Sequence, residues 1–305
     1  MNPTIDEQNP NVPVKPRNPW IAFFFSFFLP GLGQLYNGQP GKAALFLAFV
    51  VLFPIIIGFS GGLNTFSGLI LLMVGELAFK GFVILDGVVH ALRQKEYVPK
   101  SYNKWYYYLL AGLVFFPALW VYDPRPMLGF QSFRIPTPSN SPTLQVGDYL
   151  LADMKAYRQS EPDYGDIVVF KKEDGVQYLY RVVGRPNDRL DLTDNIITIN
   201  GRPGKATFLK DTVCDRMPVE EFMEELPNGH KHLIYKLKTT FKSPKANFTD
   251  MLVPEDSYFL LGDNRDNALD SRYIGCVRKE NMQGKILYSY WGKSVDRINI
   301  DFRDK

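Results

Sequence analysis

Metal ligands are scarce in this sequence, which has three histidines and two cysteines in 305 residues. His230 and His232 stand two apart with no partner cluster, so no metal-binding spacing is present and no cofactor is implied. The pair reads as exposed. An excess of charge of one sign is also lacking: 35 Lys and Arg stand against 32 Asp and Glu, a net charge of +3. With no Arg-rich or aromatic-interleaved basic patch, nucleic acid is excluded as a partner. There is no internal repeat. The first 19 residues are polar and proline-rich and lack the charged, apolar and small-residue succession of a cleavable signal peptide. They read as a disordered polar tail.

What the chain does have is a sharp division. Residues 20–122 are dominated by Phe, Leu, Val, Ile, Gly and Ala, and residues 123–305 have the mixed character of a soluble domain. Four apolar stretches, about 20–36, 42–59, 66–90 and 105–122, are candidate membrane spans, since a spanning helix needs about 20 mostly apolar residues. This predicts a membrane region of three or four spans. The first stretch is broken by Pro30, Gly31 and Gly33, and reads either as a kinked span or as a re-entrant hairpin. The third contains Glu76, Lys80 and Asp86, costly in hydrocarbon unless paired or facing protein or water. Glu76 and Lys80 would share a helix face and can pair. These charges read either as an intramembrane polar site, with a transporter-like role as the remote extension, or as neutralised groups near the end of a tilted helix. The run GLGQLYNGQPGK, Gly31 to Lys42, is similar to small membrane modules of unassigned function.

Orientation follows from charge. Arg93, Lys95, Lys100 and Lys104 against a single Glu96 place the loop after the third stretch in the cytoplasm. The last span then carries everything after Tyr122 to the opposite side. Lys15 and Arg17 suit an outside N-terminus poorly, a conflict that a re-entrant first segment removes. Cys214 and Cys276 fall in the extracytoplasmic part, where a disulfide is permitted and two buried thiols are equally consistent.

From Phe130 onward the pattern is of short strands closed by turns: DYLLADMKAY, GDIVVFKK, VQYLYRVVG, DNIITING, then HLIYKLKTTF, SYFLLGDN and KILYSYWG. Asn200-Gly201 is a two-residue hairpin signal. Many close-spaced strands predict an all-β domain. Residues 205–250 fit the pattern less well and read as an insertion on the β core, with VEEFMEEL as a helix.

Two segments carry the chemistry. Arg134 to Asp148 reads RIPTPSNSPTLQVGD, and Gly262 to Arg272 reads GDNRDNALDSR. Together they resemble signature boxes of bacterial signal peptidase I, the membrane-anchored Ser-Lys serine protease that removes signal peptides from exported proteins. The resemblance covers about 130–204 and 251–292 and implies that family's β fold behind a membrane anchor in the bacterial cytoplasmic membrane, multi-pass here. The family's nucleophile box has the form P-S-x-S-M-x-P-T-L. Here Ser139 falls on the nucleophile and Thr137 on the oxyanion-hole hydroxyl, with the Ser139 backbone N–H as the second donor. Asn140 replaces the usual methionine and Pro138 a frequent glycine. The strand segment GDIVVF, Gly165 to Phe170, looks like the family's next box.

The lysine box departs from the pattern. Against Y-I-K-R-V-V-G-x-P-G-D the chain reads Tyr178, Leu179, Tyr180, Arg181, Val182, Val183, Gly184, Arg185, Pro186, Asn187, Asp188, so Tyr180 occupies the base position. A tyrosine with a pKa near 10 is protonated at neutral pH. In the last box Ala268 stands where the family has a serine that orients the lysine, while Asp263, Arg265, Asp270 and Arg272 keep the scaffold; the resemblance implies an ion pair for the last two. Lys155, Lys171 and Lys172 read as solvated strand ends, and no histidine lies near position 180. Two functions follow: a signal peptidase cutting pre-proteins with Ser139, or a non-catalytic homologue that binds signal peptides or membrane segments without cutting. Signal peptides of exported pre-proteins, the lipid bilayer and, more remotely, the secretion machinery are the implied partners.

Overall fold

The structure, a computed structural model, describes residues 15–121, 125–172, 174–239 and 243–303. The chain divides into an N-terminal helical unit reaching to Leu128 and a β unit from Gly129 onward, to which residues 64–66 also belong.

The helices of the first unit are α1 (Pro19–Phe28), α2 (Leu32–Tyr36), α3 (Pro40–Phe59), α4 (Phe66–Arg93), α5 (Trp105–Val121) and α6 (Arg125–Leu128). Of these, α3 and α4 are long and apolar enough to cross a bilayer, while α1 and α5 are shorter. The first apolar stretch is a hairpin. Asn18 caps α1 through Trp20 N at 2.9 Å, and Pro19 sits at the first helical position, where a missing N–H costs nothing. The chain reverses at Gly31, whose φ of +94° and approach to the Ala43 carbonyl leave no room for a side chain. Asn18 N then donates to the Tyr36 hydroxyl at 3.0 Å, which brings the end of α2 back to the start of α1.

The tail expected over 1–19 is ordered at its end. Residues 1–14 lie outside the described residues, but Arg17 N donates to the Gln94 carbonyl at 3.1 Å, and its guanidinium stacks on Tyr36 and Tyr97. The expected Glu76–Lys80 pair does not form. Lys80 Nζ lies 4.8 Å above the Phe27 ring, and Glu76 Oε1 is buried without a partner. Asp86 is the paired charge, receiving Lys42 Nζ at 2.7 Å and Gln34 Nε2 at 3.1 Å.

The second unit is all β apart from short helical turns. Its strands are β1 (Phe130–Arg134), β2 (Tyr149–Asp153), β3 (Ile167–Lys171), β4 (Gln177–Gly184), β5 (Arg189–Thr193), β6 (Ile196–Ile199), β7 (Arg202–Pro203), β8 (Lys205–Cys214), β9 (Met217–Glu225), β10 (Lys231–Leu237), β11 (Phe248–Leu252), β12 (Ser257–Leu261), β13 (Val277–Arg278) and β14 (Met282–Trp291). A seven-stranded sheet runs β1-β2-β14-β3-β4-β12-β13, beside a four-stranded sheet β11-β5-β6-β7 and a three-stranded sheet β10-β9-β8. Both faces of β3 are buried. Ile167 and Val169 enter one apolar cluster with Leu144, Leu150 and Ile286, and Val168 and Phe170 enter another with Tyr180, Leu260 and Ala268. That explains why GDIVVF is apolar throughout rather than alternating. Asn200 and Gly201 both have positive φ and turn β6 into β7, as a two-residue hairpin requires.

The segment VEEFMEEL is strand, not helix. It forms most of β9, the centre of the three-stranded sheet, paired with β10 on one side and β8 on the other. Glutamate favours helices when solvated. Here Glu221 and Glu224 are buried, and tertiary partners override that preference. Cys214 and Cys276 are free thiols.

Candidate active site

Ser139 lies in a single 3-10 turn, Pro138–Asn140, that follows an extended Thr137. The Thr137 and Ser139 hydroxyls are 3.3 Å apart. The second box holds this turn at its backbone. Asn264 N donates to the Ser139 carbonyl and Asn264 Nδ2 to the Pro138 carbonyl, both at 3.1 Å. On the other side Asn140 Nδ2 donates to the Leu179 carbonyl at 2.7 Å. The two boxes, more than a hundred residues apart in sequence, are therefore cross-linked at the serine.

Gly262 shows how tightly the rest converges. A Cβ at that position would stand 2.4 Å from Ala268 Cβ, 2.6 Å from the Ser139 carbonyl oxygen and 3.3 Å from Tyr180 Cε1. Only glycine lets Ser139, Tyr180 and Ala268 pack this closely around it. Tyr180 is 4% exposed and belongs to the cluster of Val168, Phe170, Val182, Leu260 and Ala268. Burial, and next the Asp270 carboxylate, push its hydroxyl up to about 12; the Leu269 backbone and the Ser139 hydroxyl offset this only in part. At pH 7 only about one phenol in 10⁵ would be ionised. Tyr180 is thus a neutral, packed side chain, and the methyl of Ala268 has no polar atom with which to orient a base. The base and orienter positions have become apolar packing.

The scaffold residues are all buried, in three ion pairs. Arg181 grips Asp263 through Nε at 2.9 Å and Nη2 at 2.7 Å, and also donates to the Gly165 carbonyl and Thr143. Burial would raise the Asp263 carboxyl, but Arg181 outweighs it and holds the group below its usual range. Arg265 pairs not with its neighbours but with Glu224 of β9, and donates to the Asn195 carbonyl at 2.7 Å. Although burial opposes it, Arg265, with His232, keeps Glu224 at about 2. Arg272 holds Asp270 in a two-pronged bond at 2.8 and 2.7 Å, and Asp270 also accepts Gly262 N at 3.0 Å and caps the short α7 (Ser271–Ile274). Arg272 reaches Asn195 Oδ1 at 2.8 Å.

Sequence reasoning missed Glu224, His232, Asn195 and Asn264. The expectation of an exposed His230–His232 pair is corrected: His232 is buried, with Nε2 3.2 Å from Glu224, because β10 turns it towards the ion pairs. His230 is half-buried against Arg181, at 3.1 Å. Asn264 lies inside the GDNRDNALDSR box, which could have pointed to it; no local signal marks the roles of Glu224, His232 and Asn195, since each acts through a partner distant in sequence. The lysines considered as substitutes sit elsewhere: Lys171 is exposed opposite Gln177, Lys172 lies over Tyr178, and the Lys155 stem packs on Gly129. Among the described residues no group of three or more His, Cys, Asp or Glu gathers to hold a metal.

A model of the family described as "Signal peptidase, peptidase S26" matches residues 109–291, a span containing every site residue named above. The chain is 31% identical over 209 residues to a signal peptidase I of Rickettsia typhi and 32% identical over 209 residues to that of Rickettsia prowazekii. Each alignment covers 57% of this chain and 79% of the relative. A crystal structure of a signal peptidase I from Enterococcus faecalis V583 is 23% identical, covering 41% of this chain and 97% of that one, with a TM-score of 0.26. With the family's model spanning more than half of it, this chain belongs to the signal peptidase family, peptidase S26.

Proposed function

We propose that this chain works in signal-peptide processing at the bacterial cytoplasmic membrane as a member that captures the signal peptide of an exported pre-protein beside Ser139 but does not cut it by Ser-Lys chemistry. The observation that carries this reading is the buried, neutral Tyr180 in place of a base. Without a group to take its proton, a serine hydroxyl loses several orders of magnitude in rate.

The strand edge and the cleft beside Ser139 support the capture part of this reading. β4 pairs with β3 from Gln177 to Arg181, and β12 covers only Arg181 to Gly184 on the opposite side. On that side Gln177 and Leu179 have no strand partner among the described residues, which gives an extended peptide an edge to join. The sheet curls towards it: Gln131 of β1 donates to Gln177 of β4 at 3.1 Å, although three strands separate β1 from β4 in sheet order. A cleft of about 500 Å³, lined by Pro136, Pro138, Ser141, Val213, Cys214 and Tyr235, opens beside the same turn. The membrane arrangement we infer has α3, α4 and α5 as spans and the α1–α2 hairpin as a re-entrant element. Arg17 and the 93–104 loop then share the cytoplasmic side, which agrees with their direct packing, and the β unit lies outside.

Slow cleavage is the second reading, favoured by the retained 3.3 Å pairing of the Thr137 and Ser139 hydroxyls. One comparison decides. Purified full-length protein in detergent is incubated with a pre-protein, beside its Ser139→Ala form. Equal background from both supports capture without cutting; product from the wild type alone overturns it in favour of a working peptidase.

A further inference from the structure

The open edge of β4 is already partly occupied. In an antiparallel ladder the N–H and C=O of one residue point to the same side, and successive residues alternate. Val182 exchanges bonds with Gly165 and Asp166 on the β3 side, so Tyr180 and Tyr178 face β3 as well. Arg181, Leu179 and Gln177 face the other way. Arg181 is covered there by Leu261 of β12, whereas no strand among the described residues pairs with Leu179 or Gln177 on that side. An extended peptide docking here would use the Leu179 N–H and C=O first, since they lie next to the Ser139 turn. Yet the Leu179 carbonyl already accepts Asn140 Nδ2 at 2.7 Å, and Asn140, the residue after Ser139, is 7% exposed.

We propose that Asn140 is an internal competitor for the peptide edge: its carboxamide stands where a backbone N–H of the bound peptide would donate to Leu179, and so lowers affinity for extended peptides beside Ser139. This rests on the reading of that edge as the signal-peptide site. Asn140 shares its turn with Ser139, so displacing its amide also removes one of the bonds that hold the serine's turn against β4, while the Asn264 bonds and the Leu144 N–H to Asn140 carbonyl bond remain. Asn140 thereby couples peptide docking to the position of the nucleophile. A merely structural Asn140 would behave oppositely, because losing its bond would loosen the turn and weaken docking.

The test uses full-length protein in detergent and a fluorescein-labelled peptide of the C-terminal region of a signal peptide, ending in small residues. Binding by fluorescence anisotropy is compared for wild type, Asn140→Ala and Asn140→Met, with thermal unfolding of each. Neither variant can donate to Leu179, and methionine keeps bulk in the turn. The expected result is tighter binding by both, about two- to tenfold, the worth of one neutral hydrogen bond. Unchanged or weaker binding by a folded variant, with the wild type still binding, overturns the competitor role alone. Absence of binding by all three overturns the peptide-site reading and the competitor role with it.

Discussion

Restoring the lost pair, Tyr180→Lys with Ala268→Ser, should turn this site into one that cuts. The replacement lysine would start from a Cβ inside the cluster of Val168, Phe170, Val182 and Leu260 and extend towards Ser139. Burial lowers a lysine by up to about 3–5 units from about 10.4. Asp270, whose charge already raises the Tyr180 hydroxyl, opposes that shift, so the ammonium is expected below its ordinary value by less than burial alone would give. The new serine hydroxyl, on a carbon packed against Gly262, supplies the missing orienting partner. Losing the base from a serine site costs about 10⁴–10⁶ in rate, so even imperfect positioning should recover about 10², or about 2.7 kcal/mol of transition-state stabilisation. Exchanging the phenol for a flexible chain removes packing worth about 2–4 kcal/mol, so unfolding is measured beside activity. The assay follows pre-protein cleavage by the double variant, by Ala268→Ser alone and by the double variant carrying Ser139→Ala. Cleavage should appear only in the first and rise with pH as the lysine loses its proton. A folded, peptide-binding double variant that cuts no faster than its Ser139→Ala form between about pH 6 and 10 would refute the reasoning.

Glu224→Ala should destabilise the β unit by about 3–5 kcal/mol, since it strips the buried Arg265 of its carboxylate; an unchanged melting temperature of the full-length protein would contradict this. Stability should fall with pH in two stages. His230 is held at about 4, below its ordinary 6.5, chiefly by burial and then by Arg181. The unfolded chain therefore takes up that proton first, and the urea midpoint should drop from neutral pH towards about 4. Glu224, at about 2, adds a further loss below the ordinary carboxylate value. A midpoint flat from pH 7 to about 4 would exclude the His230 part. The membrane arrangement is checked with Cys214 and Cys276 replaced by serine. A cysteine at Val295 should react with an impermeant maleimide in intact spheroplasts, and one at Lys95 only after lysis; the reverse would invert the topology.

The boxes could be read along the chain because their chemistry is local in sequence. Ser139 and Thr137 share one turn, Asp270 and Arg272 pair across two residues, and Tyr180 sits in an ungapped run. β3 was legible as an apolar run between turns. β9 was not, because its glutamates satisfy a helix pattern until Arg265 and His232 are placed opposite them. Glu76 and Lys80 misled in the same way: helical spacing allows a pair, and the Phe27 ring takes the ammonium instead.

By itself, then, the sequence determined the two-part organisation, the family, and the absence of a lysine and a serine at two named positions, since these are matters of composition and residue identity. Only the tertiary structure decided what those absences amount to. Burial, which no spacing encodes, makes Tyr180 a neutral packing residue. Bonds spanning 39 residues, from Asn140 to Leu179, and 41, from Arg265 to Glu224, determine who holds the serine's turn and who occupies the edge beside it. Such partners become neighbours only once the chain has folded.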